Sequence, residues 1–137
     1  MRKALDTWAL IAWLLGEQPA MRRVNRLLEA AEAGKMELIM SMINVGEVFY
    51  LLAKRAGIKR AEAFLDDFAG MPISTHVPVA SDIVDAARIK ARYPISYTDA
   101  FAAQLAIQQS AELVSGDPDM RLLESAGAIR LDWIGSR

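Results

Sequence analysis

The sequence contains no cysteine and a single histidine, His76. Disulfides and thiolate ligands are therefore excluded, and zinc chemistry, which leans on Cys and His, loses its usual donors. Any metal must be held by oxygen, which points to magnesium or manganese. His76 falls in a strand-like stretch beside Pro78, too isolated to argue for a Ser-His-Asp site. Charge of one sign is also missing. With a net charge of −1 there is no global basic footprint of the kind that marks many nucleic-acid binders. Arg22, Arg23 and Arg26 fall together, as do Lys54, Arg55, Lys59 and Arg60; each cluster can be a local basic rim or simply a solvated helix face. No apolar run is long enough to span a bilayer. The start, Met1-Arg2-Lys3 before an apolar stretch, imitates a secretion signal, but Asp6 interrupts it and no small-x-small cleavage site follows Gly16-Glu17-Gln18-Pro19. The chain reads as cytoplasmic. Low-complexity tracts, internal repeats and linkers are absent too, so residues 1–137 are expected to form a single domain.

What is present is the composition of a globular protein, 53% hydrophobic and 24% charged, large enough to bury its own core. Strand-like and helix-like stretches alternate throughout, the pattern of a parallel sheet covered by helices. Strands are expected at about Lys3–Leu5, Glu37–Met40, Met71–Val77 and Ala111–Val114, with Ala128–Ile134 a possible edge strand. Helices are expected at about Thr7–Leu15, from Pro19 to Gly34, from Ser41 to Gly57 and over Lys59–Ala69, the last with Ala63, Phe64 and Phe68 on one face. Further helices are expected at Ala80–Arg92, Thr98–Gln109 and from Pro118 to Glu124. Gly34 and Gly57 suit helix C-termini, and Ser41 can cap the helix that follows it.

Four acids stand where such a fold could gather them, and each also has a structural reading. Asp6 ends the first strand and passes straight into an apolar helix, at the sheet edge where open α/β folds bind ligands; as an N-cap it would contribute about 1 kcal/mol. Glu47 lies on an apolar stripe beside Ile43, Tyr50 and Leu51, a costly place unless it is paired or bound to a cation; a buried salt bridge would also explain it. Asp99 has capping-box spacing from Ser96, yet Ala102, Ala103 and Ala106 share its face and let the helix approach the sheet. Asp117 ends another strand and precedes Pro118, an ordinary helix start. Asp119, two positions on, could be a fifth ligand but reads first as a surface acid. Asp6 and Asp117 follow strands expected to be central and parallel, so both belong at one edge of the sheet. Four carboxylates converging there would repel and raise at least one pKa. A divalent cation relieves that repulsion, and magnesium is commonly held by a few carboxylates while keeping several waters.

These segments resemble the PIN-domain ribonucleases, especially the VapC-type toxins of prokaryotic toxin–antitoxin pairs. The matching stretches are Leu5-Asp6-Thr7 with Ala9-Leu10-Ile11, Ser41 to Val48, Ile95 to Ala103, and Leu113-Val114-Ser115-Gly116-Asp117-Pro118, in the family's order and near its spacing. The resemblance implies a three-layer α/β/α sandwich with a central, mainly parallel sheet, and acidic ligands at Asp6, Glu47, Asp99 and Asp117. Ser115, and Thr7 beside Asp6, are the hydroxyls it suggests as helpers. It further implies dependence on Mg²⁺ or Mn²⁺, endonuclease action on RNA, a homodimer and a small antitoxin partner. Trp8 departs from the small or polar residue usual at its position, and Thr98 from the usual Ala. Methionines 36, 40 and 42, with Trp13 and Phe49, read first as core, and otherwise as an apolar patch for a partner.

Rival functions are weighed on the same residues. A phosphoaspartyl phosphatase would want a second Asp two residues after Asp6, where Trp8 stands. A response-regulator receiver would carry a Lys near its last strand, and Ile129-Arg130-Leu131-Asp132 offers none. A PIN-like module that only binds RNA or protein, and a stand-alone PIN nuclease in RNA processing, stay open.

Overall fold

The computed structural model describes residues 1–136. Five strands, β1 (Arg2–Leu5), β2 (Glu37–Ser41), β3 (Ile73–His76), β4 (Glu112–Ser115) and β5 (Leu131–Trp133), form one sheet in the order β3-β2-β1-β4-β5 with every pairing parallel. Helices α1 (Thr7–Leu14), α2 (Ala20–Glu32), α3 (Met42–Ala56) and α4 (Ile58–Phe68) connect β1 to β2 to β3. Helices α5 (Ala80–Arg92), α6 (Tyr97–Gln108) and α7 (Pro118–Ser125) connect β3 to β4 to β5.

The short central strands are buried on both faces, so they read as continuous apolar runs, and the pleat sorts their side chains between two cores. Ala4, Ile39 and Leu113 are register partners and point into a core built with Ala100, Ala103 and Met120. Leu5, Leu38, Met40 and Val114 point the other way, against Leu10, Val48, Leu52 and Phe64. The result is the expected three layers. Right-handed crossovers explain which helices lie where: the chain steps outward from β1 to β3 on one face, returns across the sheet, and steps outward again through β4 to β5 on the other. Adjacent middle strands β1 and β4 thus mark the reversal, and the crevice at their carboxyl ends is where this topology leaves room for a ligand.

Local chemistry sets the element ends. Ser41 accepts from the Ile43 amide at 3.3 Å to cap α3. Gly57, at φ +93°, ends α3 and begins α4 in one residue, a conformation that favours glycine. On α4 the buried positions are Ala61, Phe64 and Phe68, and Ala63 is exposed. The apolar stripe therefore runs i, i+3, i+7, and the expected place of Ala63 on it is corrected. The third strand is only Ile73–His76, because it is an edge strand whose Ser74 and Thr75 are exposed. The last strand shrinks to Leu131–Trp133 at the opposite edge. Met40 is fully buried, whereas Met42 is exposed and Trp13, Met36 and Phe49 pack at the margin of the core. Among the described residues no helix is long and apolar enough to cross a membrane.

A cluster of charges ties the far edge of the sheet to α2. Asp132 on β5 accepts from Lys3 Nζ at 2.7 Å and from Arg23 Nη2 at 2.8 Å, and Lys3 also lies 3.3 Å from Glu112. Arg23 is thus more than a solvated face. The Lys3 and Asp132 side chains are only 16% and 12% exposed, so removing one partner strands a charge with little water around it. Asp132→Ala is expected to destabilise the protein by about 2 kcal/mol, read as a lower urea midpoint at unchanged m-value; a midpoint equal to wild type would reduce the cluster to decoration.

Candidate metal centre

Asp6 is placed by two neighbours at once. Its amide donates to the Val114 carbonyl at 3.4 Å, extending the β1–β4 pairing by one residue. Its side-chain Oδ1 accepts from the Ala9 amide at 2.8 Å, capping α1. The structural reading of Asp6 is therefore correct, but it uses only one oxygen. Oδ2 is buried and has no hydrogen-bond partner among the described residues. Burial pushes this carboxyl up to about 8; the Ser115 hydroxyl and the Ala9 amide pull against that, and the charges of Asp99 and Asp117 push with it.

Asp99 sits in the first turn of α6. Ser96 Oγ accepts from the Asp99 amide at 3.1 Å, which is half of a capping box. The carboxylate itself faces a cleft of about 390 Å³, together with Glu47, Asp117 and Asp119. Alanines at 100, 102, 103 and 106 are all buried, so α6 lies close on the sheet and carries Asp99 inward. Burial raises Asp99 to about 6, helped by Asp117, Glu47 and Asp119, with Ser96 opposing.

The turn after β4 places two acids together. Ser115 Oγ accepts from the Asp117 amide at 2.9 Å, and Asp117 Oδ1 accepts from the Asp119 amide at 2.9 Å. These nested turns start α7 with both carboxylates at its N-terminus, where the backbone dipole favours negative charge. Carboxylate oxygens of Asp99, Asp117 and Asp119 lie within 4.8 Å of one another. Asp119, expected first at the surface, is thus in the cluster; Glu47 lines the same cleft, whereas Asp6 does not line it but lies near enough for the charges of Asp99 and Asp117 to act on it.

Glu47 is not locked in an ion pair among the described residues. Its Oε2 accepts from the Thr98 hydroxyl at 2.8 Å and from the Tyr50 phenol at 3.0 Å. Neutral donors hold the side chain in place and leave its charge uncancelled. The Thr98 departure noted in the sequence thus has a structural role. Asn44, one helical turn before Glu47, received no role from the sequence, and it is fully buried. Its Nδ2 donates to Thr7 Oγ1 at 3.0 Å and to the Thr98 carbonyl at 3.2 Å, bracing α1, α3 and α6 where they carry Asp6, Glu47 and Asp99. The signal for it was a lone amide within Ile43-Asn44-Val45. Thr7, suggested as a helper, spends its hydroxyl on this brace, and His76 lies at the end of edge strand β3.

Comparison with known proteins agrees with this fold. A profile of the PIN domain matches residues 3–125. No curated protein sequence matches the chain. Among solved structures, VapC20 of Mycobacterium tuberculosis, described as a toxin cleaving the sarcin–ricin loop, superposes with a TM-score of 0.72 at 19% identity, covering 91% of this chain and 95% of that one. VapBC2 of Rickettsia felis, bound to a promoter DNA fragment, gives 0.71 at 18% identity over 96% and 98%. DNA-bound VapBC of Salmonella typhimurium gives 0.70 at 17% over 96% and 97%. With a matching profile across most of its length and this fold beneath it, the chain belongs to the PIN-domain family.

Proposed function

We propose that this chain is a divalent-metal-dependent endoribonuclease of the VapC type, the toxin of a toxin–antitoxin pair. The observation that carries the reading is the convergence of Asp99, Asp117 and Asp119 within 4.8 Å at the strand-order reversal, with a buried, unpartnered Asp6 oxygen close enough to feel the charges of Asp99 and Asp117. Such an arrangement of like charges is unfavourable by itself and becomes favourable around a cation. The donors are all oxygen, which suits Mg²⁺ or Mn²⁺. The descriptions of similar structures, a toxin that cleaves the sarcin–ricin loop and a toxin–antitoxin complex from Klebsiella pneumoniae, support an RNA substrate and an antitoxin partner here. A homodimer follows from the family resemblance.

Asp99 and Asp117 would hold the ion, with Asp119 as a third carboxylate. Asp6 and Glu47 would complete the negative field or orient waters. When bound, the metal supplies positive charge that lowers the pKa of a water and offsets charge developing on the scissile phosphate. The residues do the remaining work. Ser115 fixes the turn that aims Asp117, Thr98 and Tyr50 keep Glu47 pointed into the cleft, and Asn44 holds the three helices in register. No side-chain nucleophile is required, in keeping with a chain that has no cysteine.

RNA cleavage is expected to require Mg²⁺ or Mn²⁺ and to stop with EDTA. Asp99→Asn and Asp117→Asn should each lose at least about a hundredfold in rate, and Asp119→Asn on the order of 10- to 100-fold. Asp6→Asn should likewise be strongly impaired; cleavage by it at the wild-type rate would refute the catalytic assignment and leave an RNA- or protein-binding module.

A second expectation concerns stability without metal. Asp6 and Asp99 have carboxyl groups raised to about 8 and about 6 in the folded protein, so between the ordinary carboxylate range and those values the folded state binds more protons than the unfolded chain. Their contribution to stability is full at acid pH and is lost as pH rises through the raised values. In EDTA, Tm should fall from about pH 4 to about pH 8 on this account, Asp6→Asn should flatten the upper part of that fall, and added Mg²⁺ or Mn²⁺ should raise Tm most at its alkaline end. A Tm in EDTA that climbs steadily over the same interval, with no response to either ion, would contradict it.

A further inference from the structure

The cleft is lined by two unlike kinds of side chain. One is the set of carboxylates; the other is Trp8, Ile11 and Leu51, with the exposed Arg55 and Glu17. Trp8 is half-buried, and Gly116, the residue before Asp117, packs against one face of its benzo ring, so a base would stack on the other. A Cβ at Gly116 would collide with three atoms of that ring, so only glycine leaves the indole its place beside the acidic turn. Arg55, in the last turn of α3, is exposed and makes no ion pair among the described residues. The cleft lining therefore brings together, beside the proposed cleavage centre, a partly exposed indole and a single guanidinium.

A single strand of RNA presents the matching groups: a base next to each phosphate, and a further phosphate one nucleotide on. Resting on the nuclease reading above, we propose that Trp8 is the platform on which the base adjoining the scissile phosphate stacks, and that Arg55 meets a neighbouring phosphate. Stacking uses a π-face that every base has, so Trp8 sets where an unpaired nucleotide sits rather than which base it is. Duplex RNA keeps its bases stacked on each other and cannot reach this wall. Trp8 and Arg55 are thus substrate-positioning residues that select an unpaired nucleotide at the cut.

The test is a binding cycle with short single-stranded RNA, in Ca²⁺ instead of Mg²⁺ and with strand integrity checked on a gel. Trp8→Leu, confirmed folded by thermal melting, should weaken binding roughly 5- to 150-fold, and Trp8→Phe, which retains a ring, should recover most of the loss. Substituting an abasic nucleotide next to the cleavage position should cost the wild type about as much, and cost Trp8→Leu little more. Arg55→Gln should lower the slope of log affinity against log salt by about one. If Trp8→Leu fails to fold, the abasic series on wild type and on Trp8→Phe decides the matter. Equal abasic losses with and without an aromatic at position 8, or no abasic loss in the wild type, overturn the stacking assignment. The two readings fail separately: a wild type that cleaves RNA with Mg²⁺ while showing no such coupling sinks the platform alone, whereas one that cleaves nothing with Mg²⁺ or Mn²⁺ sinks the nuclease reading.

Discussion

Burial of the Asp6 carboxyl group at the end of the sheet's middle strand is the constraint around which the rest of the molecule is arranged. One oxygen is used in starting α1; the other faces protein with no partner among the described residues. Such a group resists ionisation, and the negative charges of Asp99 and Asp117 increase that resistance. A fold selected only for stability would replace Asp6 by Asn or Ser, which cap a helix equally well without a charge to desolvate. The carboxyl group instead stands near four more on other elements, Glu47, Asp99, Asp117 and Asp119, a gathering of negative charge that a cation would offset.

Holding those elements in place against their own repulsion falls to uncharged groups. Alanines on α6 remove the bulk that would otherwise keep Asp99 away from the sheet. Asn44 links the Thr7 hydroxyl to the Thr98 carbonyl, and Thr98 in turn donates to Glu47. Hydroxyls and amides fix direction without neutralising charge. A lysine or arginine in the same positions would have fixed the carboxylates too, but it would also have satisfied them. Among the described residues the charged pairs instead lie outside the cleft, as in the Lys3–Asp132–Arg23 cluster across the sheet.

The fold was legible in the sequence because its strands are short apolar runs bounded by caps and turns, and because alternation with helices leaves few topologies open. Edges were less legible. Around Ile73 and Leu131 the apolar stretch outruns the pairing, since a strand with a neighbour on one side has fewer hydrogen bonds to hold its ends. On α4 Phe64 and Phe68 face the core as expected and only the alanine was misplaced: Ala63 and Ala61 are the same residue type, and only packing separates them. At the site, Asp6, Glu47, Asp99 and Asp117 stand out because each sits at a strand end or on an apolar helix face. Asp119 was weighed as a fifth ligand and set aside as a surface acid, because an acid in a first helical turn is ordinary. Its neighbours across the cleft, not its own surroundings in sequence, bring it into the cluster. Asn44 was missed for the same reason, since its partners come from residues 37 and 54 positions away.

The two departures from the family pattern now have distinct meanings. Thr98 adds a hydroxyl where alanine is usual, and that hydroxyl holds Glu47, so the change tightens the carboxylate arrangement. Trp8 adds a large ring where a small or polar residue is usual. That ring is accommodated by a glycine on a different strand–helix turn rather than by displacement of any acid. Both changes surround the carboxylates without altering their number or their oxygens. Variation of this kind leaves the reacting centre alone and reshapes what can approach it, because a cation answers to charge and oxygen donors, whereas a polynucleotide answers to the shape and surface of the walls beside them.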